Sequence, residues 1–131
     1  MGAVSRGARS AGGIVRGVTS KTFSFRSGEN PWLTHKIEAE NSIERLKIML
    51  IRCDVAIALP GSIGTLNEIL MLLTLWKVRE SEMPLIAWRS TYQHLLGQLK
   101  NDGYLNPEIL SKVIFVDNTE EIFQRNLLPH K

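Results

Sequence analysis

The sequence has little cysteine and histidine and no long apolar run. Cys53 is its only cysteine, so an intramolecular disulfide framework is excluded. The three histidines lack the spacing of metal ligands: they are His35, His94 and His130. The longest strongly apolar stretch, residues 69–76, is too short to span a bilayer, and no apolar signal core follows Met1. We therefore expect a protein of a reducing compartment that uses no metal and no membrane.

An excess of one charge is also missing, except at the beginning of the chain. The formal net charge is +3, far from the basic stripe of a nucleic-acid binder, so we expect no nucleic-acid partner. Five basic residues precede the first acidic residue, Glu29: they are Arg6, Arg9, Arg16, Lys21 and Arg26. This acid-free start fits a mitochondrial transit peptide. Residues 8–18, with Gly12-Gly13 in the middle, fit the end of a helix, a glycine stop and a strand. We favour this structural interpretation and a cytoplasmic location, with mitochondria as the alternative.

The residues that are present have a globular composition. At 131 residues, with 44% hydrophobic and 22% charged residues, the chain is expected to form a single domain, 1–131. Hydrophobic periodicity predicts strands at 14–19, 35–39, 54–59, 84–88 and 113–116. It predicts helices at 42–52, 65–77, 92–100 and 119–124, and a long loop at 20–31. The alternation of strands with helices along the chain predicts an α/β, Rossmann-like doubly wound fold with a mainly parallel sheet and helices on both faces.

Two of the predicted strands are expected to be buried. Residues 14–19 are rich in β-branched side chains and follow a double glycine. Residues 54–59, DVAIAL, form a nearly continuous apolar run without polar alternation. Such a run is typical of a central strand in a parallel sheet that is covered on both faces.

The segment that follows this strand, PGSIGTLNE at 60–68, carries the signal for ligand binding. In an open parallel sheet, ligands bind beyond the carboxyl ends of the strands. Two glycines let the main chain approach a ligand, and a helix beginning at Thr65 offers unpaired N–H groups and a positive dipole end. We predict that this loop binds a phosphate group through Gly61, Ser62, Ile63, Gly64 and Thr65.

The spacing between Thr65 and Glu68 allows two interpretations of the role of Glu68. Thr65 and Glu68 lie three residues apart before an apolar run, which is the pattern of a capping box. In that case Glu68 accepts a hydrogen bond from the Thr65 amide and has only a structural role. A carboxylate beside a phosphate loop is equally a candidate for chemistry, and the spacing does not decide between the two.

A family resemblance bears on this choice. PGSIGTLNE resembles the PGGxGTxxE motif of the Lonely Guy family, also labelled lysine decarboxylase-like. Upstream, ERLKIM at 44–49 and DVAIALP at 54–60 are similar to that family's arginine-bearing helix and the strand before its glycine motif. MGAV at 1–4 resembles the end of its other glycine motif, GGGxxGLMGA. The resemblance covers nearly the whole chain.

The resemblance implies hydrolysis of the N-glycosidic bond of a nucleoside 5′-monophosphate, including cytokinin-type nucleotides, without metal or organic cofactor. Glu68 takes the position of the family's catalytic glutamate, and Arg45 that of its partner arginine, otherwise an ordinary solvated helix residue. The family's active site lies by a dimer interface. The resemblance therefore implies a homodimer or higher homo-oligomer, with residues 69–76 either contacting another subunit or forming an ordinary core helix.

Three departures from the family pattern support an alternative. Ser62 replaces a glycine, which would cost about 1–2 kcal/mol if that residue needs φ > 0. Ile43 and Leu46 replace the His and Lys of plant-type members, which points to a branch that includes molybdenum-cofactor carriers. A first strand, helix and glycine loop of roughly 30 residues would precede Met1, so we expect a shortened chain. The alternative is a non-catalytic carrier of a nucleotide or phosphorylated cofactor. We discard a decarboxylase, because no lysine is placed for a pyridoxal Schiff base.

Overall fold

The structure is a computed structural model that describes residues 2–21, 30–51 and 53–128. The chain forms two compact units, Met1–Arg52 and Cys53–Lys131. A single domain over 1–131 stays a prediction. Most of the loop predicted at 20–31 lies outside the described residues. Along the described part of the chain, no helix combines the length and the apolar character that crossing a membrane requires.

Within its described residues, 2–21 and 30–51, the first unit contains two helices and two strands with defined bounds, all short. The strands pair in parallel, in register from Arg16 opposite His35 to Ser20 opposite Ala39. The second helix contacts both strands, and Leu46 is its buried residue. The elements are α1 (Gly2–Ser10), β1 (Arg16–Ser20), β2 (His35–Ala39) and α2 (Ser42–Ile51).

The turn from α1 to β1 confirms the structural interpretation of the basic N-terminal segment. Gly12 has φ of 78°, in the left-handed region that glycine tolerates. The Gly13 amide donates to the Ala8 carbonyl at 2.8 Å and the Gly12 amide to Arg9 at 3.0 Å, which is a Schellman end. The strand, however, begins at Arg16 and is mostly half-buried, with only Ser20 fully buried. The expected burial of 14–19 is therefore wrong.

The second unit is a three-stranded parallel sheet with helices between its strands. The strand order is β3-β4-β5, so β4 is central. Every strand pair in the described residues is parallel, which confirms the predicted α/β class. The strands are β3 (Ala56–Ala58), β4 (Leu85–Trp88) and β5 (Ile114–Val116). The helices are α3 (Ile63–Lys77), α4 (Arg89–Asn101), α5 (Pro107–Ser111) and α6 (Thr119–Gln124).

The core of the second unit is built on β4 rather than on β3. Ile86 of β4 packs with Val116 and Ile122, all at most 5% exposed. The prediction that 54–59 forms a central strand covered on both faces is wrong. β3 is only three residues long, lies at the edge of its sheet, and leaves Ile57 42% exposed.

The other main differences between the predicted and the observed elements concern where helices begin and one short helix that was not predicted. α3 begins at Ile63 instead of the predicted Thr65, and α4 begins at Arg89, directly after β4, instead of at residue 92. The short α5 is not among the predicted helices. Its signal was present in the sequence: Asn106 caps the helix by accepting from the Glu108 amide at 2.7 Å, and Pro107 occupies the first helical position.

Candidate phosphate site at the start of helix α3

The N-terminus of α3 is an open set of amide donors. The first intrahelical bond joins the Leu66 amide to the Ser62 carbonyl at 3.2 Å, so the amides of Ile63, Gly64 and Thr65 have no acceptor within the helix. Residues 61–64 are exposed, and the first turn contains no acidic side chain. Ser62 is the N-cap residue, yet its side chain makes no capping hydrogen bond in the described structure. Unpaired amides at the positive end of a helix dipole form a ready anion site.

Ser62 does not disturb this geometry. Its backbone is extended, with φ of −93° and ψ of −163°. The cost foreseen for a side chain at positive φ therefore does not arise, because any L-residue adopts this conformation. The serine that replaces the family's second glycine is compatible with the approach of an anion.

The capping-box interpretation of Glu68 is wrong. A capping box needs Thr65 at the N-cap position, outside the helix. Because α3 begins at Ile63, Thr65 is the third helical residue and Ser62 is the N-cap. Glu68 is half-buried and lies three residues after Thr65, so both side chains project from neighbouring positions on one helix face.

The two glycines of the loop have different roles. A methyl group on Gly61 would lie 3.0 Å from Thr65 Cβ and collide with Thr65 Oγ1, so this glycine allows the Thr65 side chain to fold back over the turn. At Gly64, no described atom lies within 4 Å of the position that a Cβ would occupy. Gly61 is thus needed for the internal packing of the loop, whereas Gly64 leaves the loop surface open.

Tyr92 supports the loop from α4 and is not among the site residues predicted from the sequence. Its side chain is 2% exposed, and its hydroxyl donates to the Leu59 carbonyl at 2.8 Å. Burial raises the pKa of Tyr92, hydrogen bonds from the Thr65 hydroxyl and the Gly61 amide oppose that rise, and the Glu68 charge adds to it. The Tyr92 oxygen therefore lies within hydrogen-bonding reach of the loop and within electrostatic range of Glu68.

Arg45 is placed on α2, in the first unit. It is half-buried, and its Nε donates to the Val18 carbonyl of β1 at 3.0 Å. It is therefore not the fully solvated helix residue considered as an alternative. The helix that carries it begins as expected, because the Asn41 side chain accepts from the Glu44 amide at 2.9 Å. Arg45 and Glu68 belong to different units, and their cooperation stays a prediction.

The residues predicted to bind phosphate are thus adjacent at the carboxyl end of β3, with Glu68 one turn further along α3. Across the described ranges, no cluster of three or more His, Cys, Asp or Glu side chains could hold a metal ion. Cys53, the only cysteine, is an exposed residue whose sulfur is partly covered, and this partial burial together with the Asp54 charge raises the pKa of its thiol. The chemistry that this arrangement offers is therefore that of amide donors and one carboxylate.

Parallel strands connected by helices, with a helix start behind the carboxyl end of a strand, define a Rossmann-like α/β protein. Residues 1–125 match the family described as "Possible lysine decarboxylase", and the chain belongs to this family. This result confirms the resemblance read from PGSIGTLNE and its flanking segments.

Three relatives carry the name cytokinin riboside 5′-monophosphate phosphoribohydrolase. The Mycobacterium tuberculosis protein is 30% identical over 126 residues, which are 92% of this chain and 67% of the relative. The Mycobacterium marinum protein is 32% identical over 129 residues, 95% of this chain and 69% of the relative. The Arabidopsis thaliana protein is 28% identical over 131 residues, 95% of this chain and 57% of the relative. All are enzymes by name, which bears out the prediction of an enzyme.

Proposed function

We propose that this protein hydrolyses the N-glycosidic bond of a nucleoside 5′-monophosphate. Water adds to C1′ of the ribose, the bond from C1′ to the base breaks, and the base leaves with a proton. The products are the free base and ribose 5-phosphate. The observation that carries the proposal is the open start of α3 with Glu68 one turn inside the same helix.

The 5′-phosphate is bound by the start of α3. The amides of Ile63, Gly64 and Thr65 supply the donors, the helix dipole supplies partial positive charge, and the Thr65 hydroxyl supplies a further donor. No bound metal is needed to hold one phosphate group in such a site. The nucleotide is thereby fixed at the end that does not react.

Glu68 acts at the reacting end of the nucleotide. It lies five residues beyond Ile63, which corresponds to about 7 Å along the helix axis. This distance suits the separation between the 5′-phosphate and C1′ of a single nucleotide. A carboxylate at that point stabilises the positive charge that develops on the ribose ring and orients the attacking water, as in glycoside hydrolysis.

From the family resemblance alone, we also propose that Arg45 binds phosphate or ribose oxygens of the substrate. The bond from its Nε to the Val18 carbonyl fixes the plane of the guanidinium group on β1. A planar guanidinium group with a fixed orientation is suited to bidentate contacts with oxygen atoms. We assign Arg45 to substrate binding and Glu68 to catalysis.

The proposed substrates are adenine nucleotides, including cytokinin riboside 5′-monophosphates, because three relatives are named for that activity. The proposal includes a homodimer or higher homo-oligomer and no organic cofactor. A carrier of a nucleotide or phosphorylated cofactor would use the same phosphate site without turnover.

The decisive assay incubates the purified full chain with AMP and measures free adenine, with adenosine as the matched substrate that lacks phosphate. We expect adenine release from AMP and much slower release from adenosine, because only AMP engages the amides of α3. A cytokinin riboside 5′-monophosphate in a parallel reaction tests the finer substrate assignment. Binding of AMP without release of adenine would contradict the hydrolase and support the carrier.

A further inference from the structure

We propose that Tyr92 is a positioning residue for phosphate binding, because its hydroxyl fixes the turn between β3 and α3 and directs the Thr65 side chain. The inference rests on the proposed function of the α3 start and assigns a role there to a residue of another helix. Tyr92 does not contact the reacting atoms in this account, and it acts through Thr65 and the loop backbone.

The position of Tyr92 makes it a rigid support. It lies in the first turn of α4, which begins directly after β4, the strand that pairs with β3. Its ring is 2% exposed, so the hydroxyl is held by the packing of the unit. A buried aromatic ring with few rotatable bonds loses little entropy on holding a partner in place.

The hydrogen-bonding capacity of a phenol determines how the contacts are shared. The single O–H donor is used by the Leu59 carbonyl, at 2.8 Å. The backbone of Gly61 and the side chain of Thr65 lie close enough to lower the pKa of Tyr92, and in this proposal its oxygen accepts from both. Burial keeps the pKa of Tyr92 above its ordinary value, so the hydroxyl stays protonated and remains a donor at neutral pH.

These contacts separate supporting groups from binding groups in the loop. In this proposal the Gly61 amide supports the turn and leaves phosphate binding to the amides of Ile63, Gly64 and Thr65. The Thr65 hydroxyl donates to Tyr92 when no ligand is present. When a phosphate binds, this hydrogen turns to the phosphate, and the Gly61 amide keeps the Tyr92 oxygen satisfied.

Removal of the Tyr92 hydroxyl should therefore weaken phosphate binding specifically. For Tyr92→Phe we expect the Kd for ribose 5-phosphate to rise about tenfold, the effect of losing one hydrogen bond that orders the site. With AMP, KM should rise by a similar factor while kcat changes much less. The matched control is Tyr104→Phe, because Tyr104 is 82% exposed and is the only other tyrosine.

A double-mutant cycle separates positioning from general stability. Thr65→Val and Tyr92→Phe are measured singly and together by titration calorimetry with ribose 5-phosphate. If Tyr92 acts through Thr65, the second substitution should add little to the loss caused by the first. Additive losses would overturn the proposal, as would a Tyr92→Phe variant of lower melting temperature with an unchanged Kd.

The same titration separates this inference from the proposed hydrolase, because binding needs no turnover. A wild-type chain that binds ribose 5-phosphate but releases no adenine contradicts the hydrolase, and the cycle still decides the role of Tyr92. A hydrolase whose Tyr92→Phe variant keeps the wild-type KM for AMP contradicts the inference alone. A wild-type chain that neither binds ribose 5-phosphate nor releases adenine from AMP overturns both.

Discussion

Two strand-to-helix connections of the same sheet differ in whether a side chain caps the first amides of the helix. At the start of α6, the Asn118 side chain accepts from the Glu121 amide at 3.0 Å, and the first turn contains Glu120 and Glu121. At the start of α3, Ser62 makes no side-chain cap in the described structure, and the first turn has no acidic residue. The protein satisfies the N-terminus of α6 with its own side chains. The N-terminus of α3 has no such cap, and we propose that its amide donors bind the phosphate.

The start of α4 also has no side-chain cap: its N-cap residue, Trp88, makes no capping hydrogen bond, and its first turn contains no acidic residue. Arg89, the first residue of α4, donates from Nε to Asp117 Oδ2 at 2.9 Å and from Nη2 to the Phe115 carbonyl at 3.0 Å. The polar groups at this part of the sheet edge are thus occupied by internal contacts. Uncapped helix starts therefore occur at both α3 and α4, and α3 differs from α4 in the exposure of all of residues 61–64.

The largest expected effect is on turnover at α3. Glu68→Gln should lower adenine release from AMP by about 100-fold or more, the usual contribution of a positioned acid or base. Binding of ribose 5-phosphate should change little, because the amides of α3 are untouched. The measurement is the initial rate of adenine formation. Glu120→Gln, in the first turn of α6, is the control and should retain the wild-type rate.

The second effect is on stability. Gly61→Ala places a methyl group against Thr65 and should lower the free energy of unfolding by about 1–3 kcal/mol, the usual cost of overpacking. Gly64→Ala meets open space and should not destabilise, because alanine favours a helix more than glycine does. Urea denaturation of the two variants checks the comparison. Equal losses at both positions would contradict the different roles given to the two glycines.

The third effect follows from making the start of α3 resemble that of α6. Ser62→Asp adds both a capping acceptor and a negative charge, and should weaken ribose 5-phosphate binding about tenfold or more. Ser62→Asn adds the capping acceptor alone and is the matched control, with an expected smaller loss. Calorimetric titration gives both Kd values. A Ser62→Asp variant that binds as tightly as the wild type would place the phosphate elsewhere.

The smallest expected effect comes from removing the side-chain cap of α6, which α3 does not have. Asn118→Ala removes the cap of α6 and should lower the free energy of unfolding by about 1 kcal/mol, with no change in ribose 5-phosphate binding. Ser62→Ala removes no capping bond and should leave stability nearly unchanged. Thermal unfolding of the two variants, measured in parallel, tests this difference. A larger loss for Ser62→Ala would show that Ser62 caps α3 in solution.

Local patterns predicted the parallel α/β class and several element bounds. The strand at 35–39 and the helix at 119–124 have the predicted limits, because alternation and a capping asparagine mark them locally. The start of α3 was placed two residues late, since Gly64 has low helix propensity and hides the first turn. The order of the strands, which makes β3 an edge strand, depends on pairing that no local apolar run encodes.

Part of the candidate site was predictable and part was not. The residues of the candidate phosphate site could be named from the sequence because they are consecutive, after a strand and at the start of a helix. Tyr92 was not, because it follows β4 and reaches the loop only through the pairing of β3 with β4. The capping-box interpretation of Glu68 depended on where α3 begins, and the start at Ile63 excludes it; a catalytic role for Glu68 stays a prediction.

The central claim is that the open amides of α3 bind a 5′-phosphate. Titration of ¹⁵N-labelled protein with ribose 5-phosphate, followed by NMR, measures this directly and needs no turnover. The account predicts that the largest amide shift changes occur at Ile63, Gly64 and Thr65, with little change at Glu120 and Glu121. Saturable changes centred on other residues, with the α3 amides unmoved, would contradict it.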